Sequence, residues 1–324
     1  MADRWPAHRW PEGQRFPDKP GTAYQYAVTL VRVAELLDPA ETRDVAEITG
    51  AQYAQALTAL WGTSADRTWN RNRATVASFL AWCADDEQPY TEAELPRRCR
   101  MRKVPQDNTR AVEKEADLDP LWDPDRFHLR ERSLWRAGYE SAARGGILLR
   151  LDVPDLELDR FRARVQTKGG NIEYLLFGTK GTELITEYVG GRTWGPVWLT
   201  KIRPRNWRER NEADRGPCDL CRLSYDRAEK DFKAATRALG MTGEASFGFE
   251  WLTLHQSRHS RLTHLAEDGW DTPELMTVSH HKSAKTLLRY ARPSAAAVGR
   301  KMREQAPRAA VPSPRAQSSA HAGD

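Results

Sequence analysis

Residues 280–290 read HHKSAKTLLRY, two adjacent histidines followed by a tyrosine nine positions after the second. Two readings of this stretch compete. In the plain one, a helix buries Leu287 and Leu288 and Tyr290 packs beside them. In the sharper one, Tyr290 is an active-site group with a histidine on the same structural edge. Tyrosine is a weak nucleophile near neutral pH because its phenol titrates near ~10, so the sharper reading needs other groups nearby to activate it.

The 324-residue length suggests about two domains of ~100–200 residues each. Hydrophobic residues make up 40% of the chain, enough for ordinary cores, and no run approaches the ~18 apolar residues of a membrane span. The N-terminal MADRWPAHRWPEGQRFPDKP lacks an apolar signal segment, so a cytoplasmic location is expected. Net charge is only +5, but its distribution is uneven. Residues 97–114 carry seven Lys/Arg against two acids, and 201–215 carry six against three. Arg-rich stretches suit phosphate backbones because guanidinium binds phosphate oxygens bidentately; alone, each can equally be a solvated loop. The four cysteines suit a reducing compartment. Cys218 and Cys221 form a lone CxxC without the two further ligands of a structural zinc site, and read as a loop with free thiols.

Residues 1–21 read as an irregular arm. From 22 the pattern is helical: Ala27, Leu30, Val31, Ala34 and Leu37 share one face, then Tyr53, Leu57, Leu60 and Trp61, then Val76, Phe79, Leu80 and Cys83. Arg67, Arg71 and Arg73 crowd the start of the third helix, where the dipole prefers acids, so they suit a phosphate partner. This helical unit ends near 95. Residues 96–120, basic then acidic with prolines at 96, 105 and 120, read as an interdomain linker, with Arg100, Arg102 and Lys103 as further phosphate-binding candidates. A helix over 128–143 is expected to stop at Gly145–Gly146. Next, Phe161, Ala163 and Val165 alternate, as do Ile172, Tyr174 and Leu176, around TKGG: a β-hairpin with Lys168 at its turn. Residues 197–199 (VWL) are a third-strand candidate. Further helices are expected around Phe232–Leu239, over 258–267 and over 282–291. The tail from 305 is poor in large apolar residues and reads as disordered.

Residues 254–266, LHQSRHSRLTHLA, place His255 and Arg258 three apart, on one side of a helix. A neutral histidine transfers protons and an arginine holds an oxyanion. Taken with HHKSAKTLLRY, this resembles the tyrosine recombinase (phage integrase) family, which carries a His-x-x-Arg segment and then a histidine about nine residues ahead of a nucleophilic tyrosine. The matching residues are His255, Arg258, His281, Thr286, Arg289 and Tyr290. Upstream, YESAARGGILLRLDVPDLEL is similar to the segment around the family's first catalytic arginine, which maps to Arg144. VQTKGGN resembles the hairpin turn of the catalytic lysine, which maps to Lys168. The likeness spans about 22–292.

The resemblance implies a mainly α fold with a small antiparallel β-sheet: a helical core-binding domain at 22–95 and an α+β catalytic domain at 121–304. It implies a site-specific DNA recombinase, acting without cofactor, metal or ATP, that breaks and rejoins DNA through a 3′-phosphotyrosyl link to Tyr290. Arg144 and Arg258 would neutralise the pentacoordinate transition state, and Lys168 would protonate the leaving 5′-hydroxyl. His255 would accept or relay the tyrosine proton, and His281 would donate a hydrogen bond to the phosphate. Implied partners are double-stranded recombination sites, further copies of the chain in a synaptic tetramer linked by the segment PSAAAVGRKMREQ, and accessory DNA-bending or element-encoded proteins. Two departures stand out: Ile147 where the family usually carries an acid, and Ser279–His280 where it usually has Leu-Gly. They motivate an alternative, a DNA-binding protein of this fold with reduced or lost catalysis. A metal-dependent nuclease built on the histidines is a third class, disfavoured by the missing carboxylates. His259 and His264 fall outside the pattern.

Overall fold

The computed structural model describes residues 22–38, 43–85, 90–104, 115–166, 170–241, 251–288, 298–299 and 301–303. Lys168, Arg289, Tyr290, the arm 1–21 and the tail from 305 lie outside the described residues, as does most of the segment expected to link protomers. The chain divides into two compact units, 1–106 and 107–324. No described helix is long and apolar enough to cross a membrane.

The first unit holds three helices: α1 (Thr22–Leu37), α2 (Gly50–Trp61) and α3 (Asp66–Ala84). A capping box between Thr49 and Gln52 starts α2 and satisfies two of its orphan amide donors. Leu57, Val76 and Cys83 are fully buried, and Leu30, Tyr53, Phe79 and Leu80 join them in one core. Val31, expected on the buried face of α1, is exposed; Val33 is buried instead. At the centre, the Thr29 hydroxyl donates to Asn72 Oδ1 at 3.0 Å.

The expected linker 96–120 is not one segment. Residues 99–102 belong to the first unit: Trp69 Nε1 donates to the Arg100 carbonyl, Asn70 brackets the Arg102 backbone, and Arg73 Nε donates to the Cys99 carbonyl. At the other end, a 3-10 helix at Glu115–Trp122 buries Leu118 and Leu121 in the core of the second unit. Apolar anchors at both ends override the Pro-rich, charged composition.

In the second unit, α4 (Leu129–Glu140) ends at Glu140, and the chain turns at Ala142, which has a positive φ of 47°. Gly145 and Gly146 open a short helix, α5 (Gly145–Leu148), rather than ending α4. A three-stranded antiparallel sheet follows in the order β1 (Leu156–Glu157), β2 (Arg162–Gln166) and β3 (Ile172–Leu176). The hairpin spans the strands expected, but β3 buries the opposite set of side chains. Ala163 faces Leu175 and Val165 faces Glu173, so Leu175 is buried while Ile172 and Leu176 are exposed. Directly opposed residues share a face, and the buried Ala163 and Val165 fix which face that is. The third strand is β1, not 197–199: that stretch is buried but contributes a single bridge, Leu199 to Arg222.

After the hairpin comes α6 (Thr179–Val189), packed on α4. The Glu140 carboxylate accepts from the amides of Gly178 and Gly181 at 2.8 and 2.9 Å, placing a negative charge at the positive end of α6. Glycine at both positions leaves room for this carboxylate, since a Cβ would sit 2.8 Å from the Glu140 carboxyl carbon at 178 and 2.3 Å from its Oε2 at 181 and displace it. The helices α7 (Tyr225–Ala238), α8 (Leu254–Glu267), α9 (Thr272–Ser279) and α10 (Ala284–Leu287) complete the unit. α8 starts one turn earlier than expected because Thr253 and Gln256 form a capping box. α9, not anticipated, begins with an Asp271–Glu274 box. Of the two leucines in the opening motif, Leu287 is buried and Leu288 exposed.

Candidate active site

Three corners of the second unit meet around one guanidinium. The capping box fixes the first turn of α8, so His255 sits in that turn and Arg258 follows one turn later. Arg258 is 3% exposed, though an arginine is almost never buried unless paired. Its Nη1 donates to the carbonyl of Ala142. Its Nη2 donates to the carbonyl of Ser279 at 2.8 Å and lies 3.4 Å from His281 Nε2. Arg258 thus ties α8 to the turn after α4 and to the end of α9. Arg144, two residues beyond Ala142, is exposed at the N-terminus of α5.

The two histidines feel both arginines. Burial pushes the His281 pKa down to about 4, helped by the positive charges of Arg258 and Arg144 and then by His255 and His280. The pKa of His255 is also lowered, first by partial burial, then by Arg258 and Arg144, against an opposing pull from Glu229. Both are therefore neutral at pH 7, as a proton acceptor must be. Arg144, His255, Arg258 and His281 form one electropositive cluster. Lys168 belongs to the connection between β2 and β3, which lies outside the described residues.

Two side chains here were missed from sequence. Ser279 Oγ is 2.7 Å from His281 Nδ1 and donates to the carbonyl of Leu275 at 2.6 Å. Glu173, on β3, pairs with His280 Nδ1. His280 occupies a left-handed position, φ 55°, at the end of α9. That conformation favours glycine, so the carboxylate partner helps hold a bulky ring there. Ser279 stood out only as a departure from the family's Leu-Gly, with no sign of its contact to His281, and the alternation placed Glu173 on the wrong face. Glu173, His280, Arg144, Arg150, Arg164 and Lys282 line a cavity of about 760 Å³ that also reaches Ile147. A carboxylate therefore enters the cavity from β3 where position 147 supplies none.

Other candidates have different neighbours. His264 is buried and shares a 2.7 Å hydrogen bond with the Tyr139 hydroxyl, a packing role within α4 and α8. His259 has its ring 5.2 Å from that of His255. In the first unit, the Arg102 guanidinium is held by the fold. It donates to the carbonyls of Gly62 and Ser64 at 2.6 and 3.0 Å, beyond the C-terminus of α2, and lies over the Trp69 ring at 4.4 Å. Arg73 is likewise committed to the Cys99 carbonyl, whereas Arg67, Arg71, Arg100 and Lys103 are exposed. Cys218 is exposed and Cys221 buried, on a turn where Cys218 and Asp219 both have positive φ.

Two arginines and two neutral histidines in one cluster, of which Arg144 also lines the cavity, define an anion-handling site on a mainly helical fold. The phage integrase family model matches residues 116–296, more than half of the chain, and the protein belongs to that family. A tyrosine recombinase XerC of Mycobacterium sp. (strain KMS) is 27% identical over 233 residues, 70% of this chain and 72% of the relative. Two solved structures share the fold. The XerH site-specific recombinase bound to its difH substrate, a pre-cleavage complex, has a TM-score of 0.62 at 16% identity, covering 86% of this chain and 78% of that one. A lambda integrase dimer bound to a COC′ core site has a TM-score of 0.62 at 14% identity, covering 90% and 94%.

Proposed function

We propose that this protein is a site-specific DNA recombinase that cuts and rejoins DNA through a 3′-phosphotyrosyl link to Tyr290. The observation that carries the reading is the buried Arg258, held by the Ala142 and Ser279 carbonyls beside His281 and in the field of Arg144. A guanidinium fixed before DNA arrives stabilises the charge of a pentacoordinate phosphate without reorganisation, and losing one such stabiliser typically costs ~10²–10³ in rate.

In the step, the Tyr290 oxygen bonds to phosphorus and the bond to the 5′-oxygen breaks. The phenolic proton passes to a neutral histidine of the cluster, and Lys168 protonates the departing 5′-oxygen. The new phosphodiester keeps the energy of the old one, so the 5′-hydroxyl of another strand reverses the reaction without ATP or metal. On this reading the protein integrates, excises or moves a mobile element, with copies of the chain assembling on double-stranded sites, helped by accessory DNA-bending proteins, in the cytoplasm; the DNA-bound recombinase and integrase among its structural neighbours support the DNA partner.

DNA spanning the junctions that flank the encoding gene, nicked near the cleavage point, tests this. Wild type should become covalently joined to it, EDTA should not prevent this, and Tyr290→Phe should yield no adduct. A protein that binds this DNA tightly yet never forms the adduct would instead be the catalytically reduced binder of the same fold.

A further inference from the structure

We infer that Ser279 is a positioning residue that holds His281 as its Nδ1–H tautomer, so that His281 meets Arg258 as a hydrogen-bond acceptor and not as a donor to phosphate. The inference follows from counting protons. A serine hydroxyl has one. At Ser279 it points to the Leu275 carbonyl, 2.6 Å away, which can only accept. Toward His281 Nδ1, 2.7 Å away, Ser279 must therefore accept, and Nδ1 must carry a hydrogen. The ring is neutral near pH 7, so its other nitrogen, Nε2, bears a lone pair. Arg258 Nη2, a group that can only donate, faces Nε2 at 3.4 Å. Two independent neighbours thus dictate the same tautomer.

The relay runs from Arg258 through His281 and Ser279 to the α9 backbone. Ser279 also supplies its own carbonyl to Arg258 at 2.8 Å. One residue therefore grips the guanidinium twice, directly and through the imidazole. Ser279 is fully buried, so water does not replace its hydroxyl. The resemblance implied that His281 donates to the phosphate. In this geometry it does so only after taking a proton on Nε2; until then it orients the arginine. The tautomer stands on geometry alone, whereas its catalytic consequence rests on the recombinase reading.

The test separates the two. In DNA-free protein carrying ¹⁵N-labelled histidine, NMR at pH 7 should show His281, assigned by its loss in His281→Gln, as the Nδ1–H tautomer. An Nε2–H tautomer or an imidazolium would overturn the inference, whatever the protein does to DNA. In folded Ser279→Ala only Arg258 still favours the Nδ1–H form, so that signature should weaken as Nε2–H appears, and single-turnover cleavage of nicked DNA should fall about 10–100-fold, as for other hydrogen-bond partners that orient functional histidines. Ser279→Thr, which keeps the hydroxyl, should retain both. An unchanged tautomer and rate in Ser279→Ala would refute the positioning role. If Ser279→Ala does not fold, the wild-type tautomer decides. Absence of cleavage by wild type with the Nδ1–H tautomer present would count against the recombinase reading alone.

Discussion

His280 and His281 are neighbours in sequence with opposite surroundings. His281 is buried against a cation, with an arginine on one nitrogen and a serine on the other. His280 turns the other way, through a left-handed residue, and meets the Glu173 carboxylate on the sheet. One peptide unit thus sends one ring to the α4–α8–α9 corner and the other to the β2–β3 hairpin. The lesson is that a single tight turn couples the anion site to the strand that leads away from Lys168.

The contrast should break most sharply at Arg258. Arg258→Ala should reduce single-turnover cleavage by ~10²–10³. It also strands the Ala142 and Ser279 carbonyls, costing about 1–3 kcal/mol for each unpaired group, which urea denaturation would register. Arg144→Ala, at an exposed position, should match the rate loss with little change in stability.

The next effect is pH dependence. The folded pKa of His281, about 4, lies below its unfolded value of 6.5, so the unfolded chain binds more protons in acid. Its contribution is fully present above pH 6.5 and is lost as pH falls from 6.5 through about 4, on the order of 3 kcal/mol by linkage. His255 adds in the same direction. Denaturation of wild type against His281→Gln over that window should show a shallower acid loss in the variant; parallel curves would place the lowered pKa elsewhere.

A smaller effect separates the two roles of His280. His280→Ala loses the Glu173 partner and keeps a Cβ in the left-handed region. His280→Gly loses the partner and removes a strain of about 1–2 kcal/mol. Glycine should therefore be the more stable replacement by roughly that amount, read as a difference in unfolding free energy. Smallest is a contrast in the first unit. Arg102→Ala should lower stability by about 1–2 kcal/mol through lost hydrogen bonds near the end of α2. Arg100→Ala should leave stability unchanged and, if that side chain meets a phosphate, make DNA binding less salt-dependent by a slope of about 1.

Much of this was legible in residue patterns. The three-residue spacing from His255 to Arg258 placed both within the first turns of one helix, and α8 carries them there. The faces of α2 and α3 followed from apolar spacing. What escaped was set by tertiary context. The buried face of β3 depends on what Ala163 and Val165 pack against. The ends of the expected linker were fixed by Trp69, Leu118 and Leu121, not by its prolines. Arg102 looked like a phosphate ligand because sequence shows charge but not the carbonyls that occupy it. Ser279 and Glu173 act across a turn that no periodicity announces.

We propose that the buried Arg258 and His281 serve a tyrosine nucleophile. The most direct test is mass spectrometry of the peptide trapped on nicked junction DNA after protease digestion. A single DNA 3′-phosphate esterified to Tyr290, formed by wild type and by no Tyr290→Phe protein, is the predicted result. Linkage at another residue, or an adduct that survives Tyr290→Phe, would contradict it.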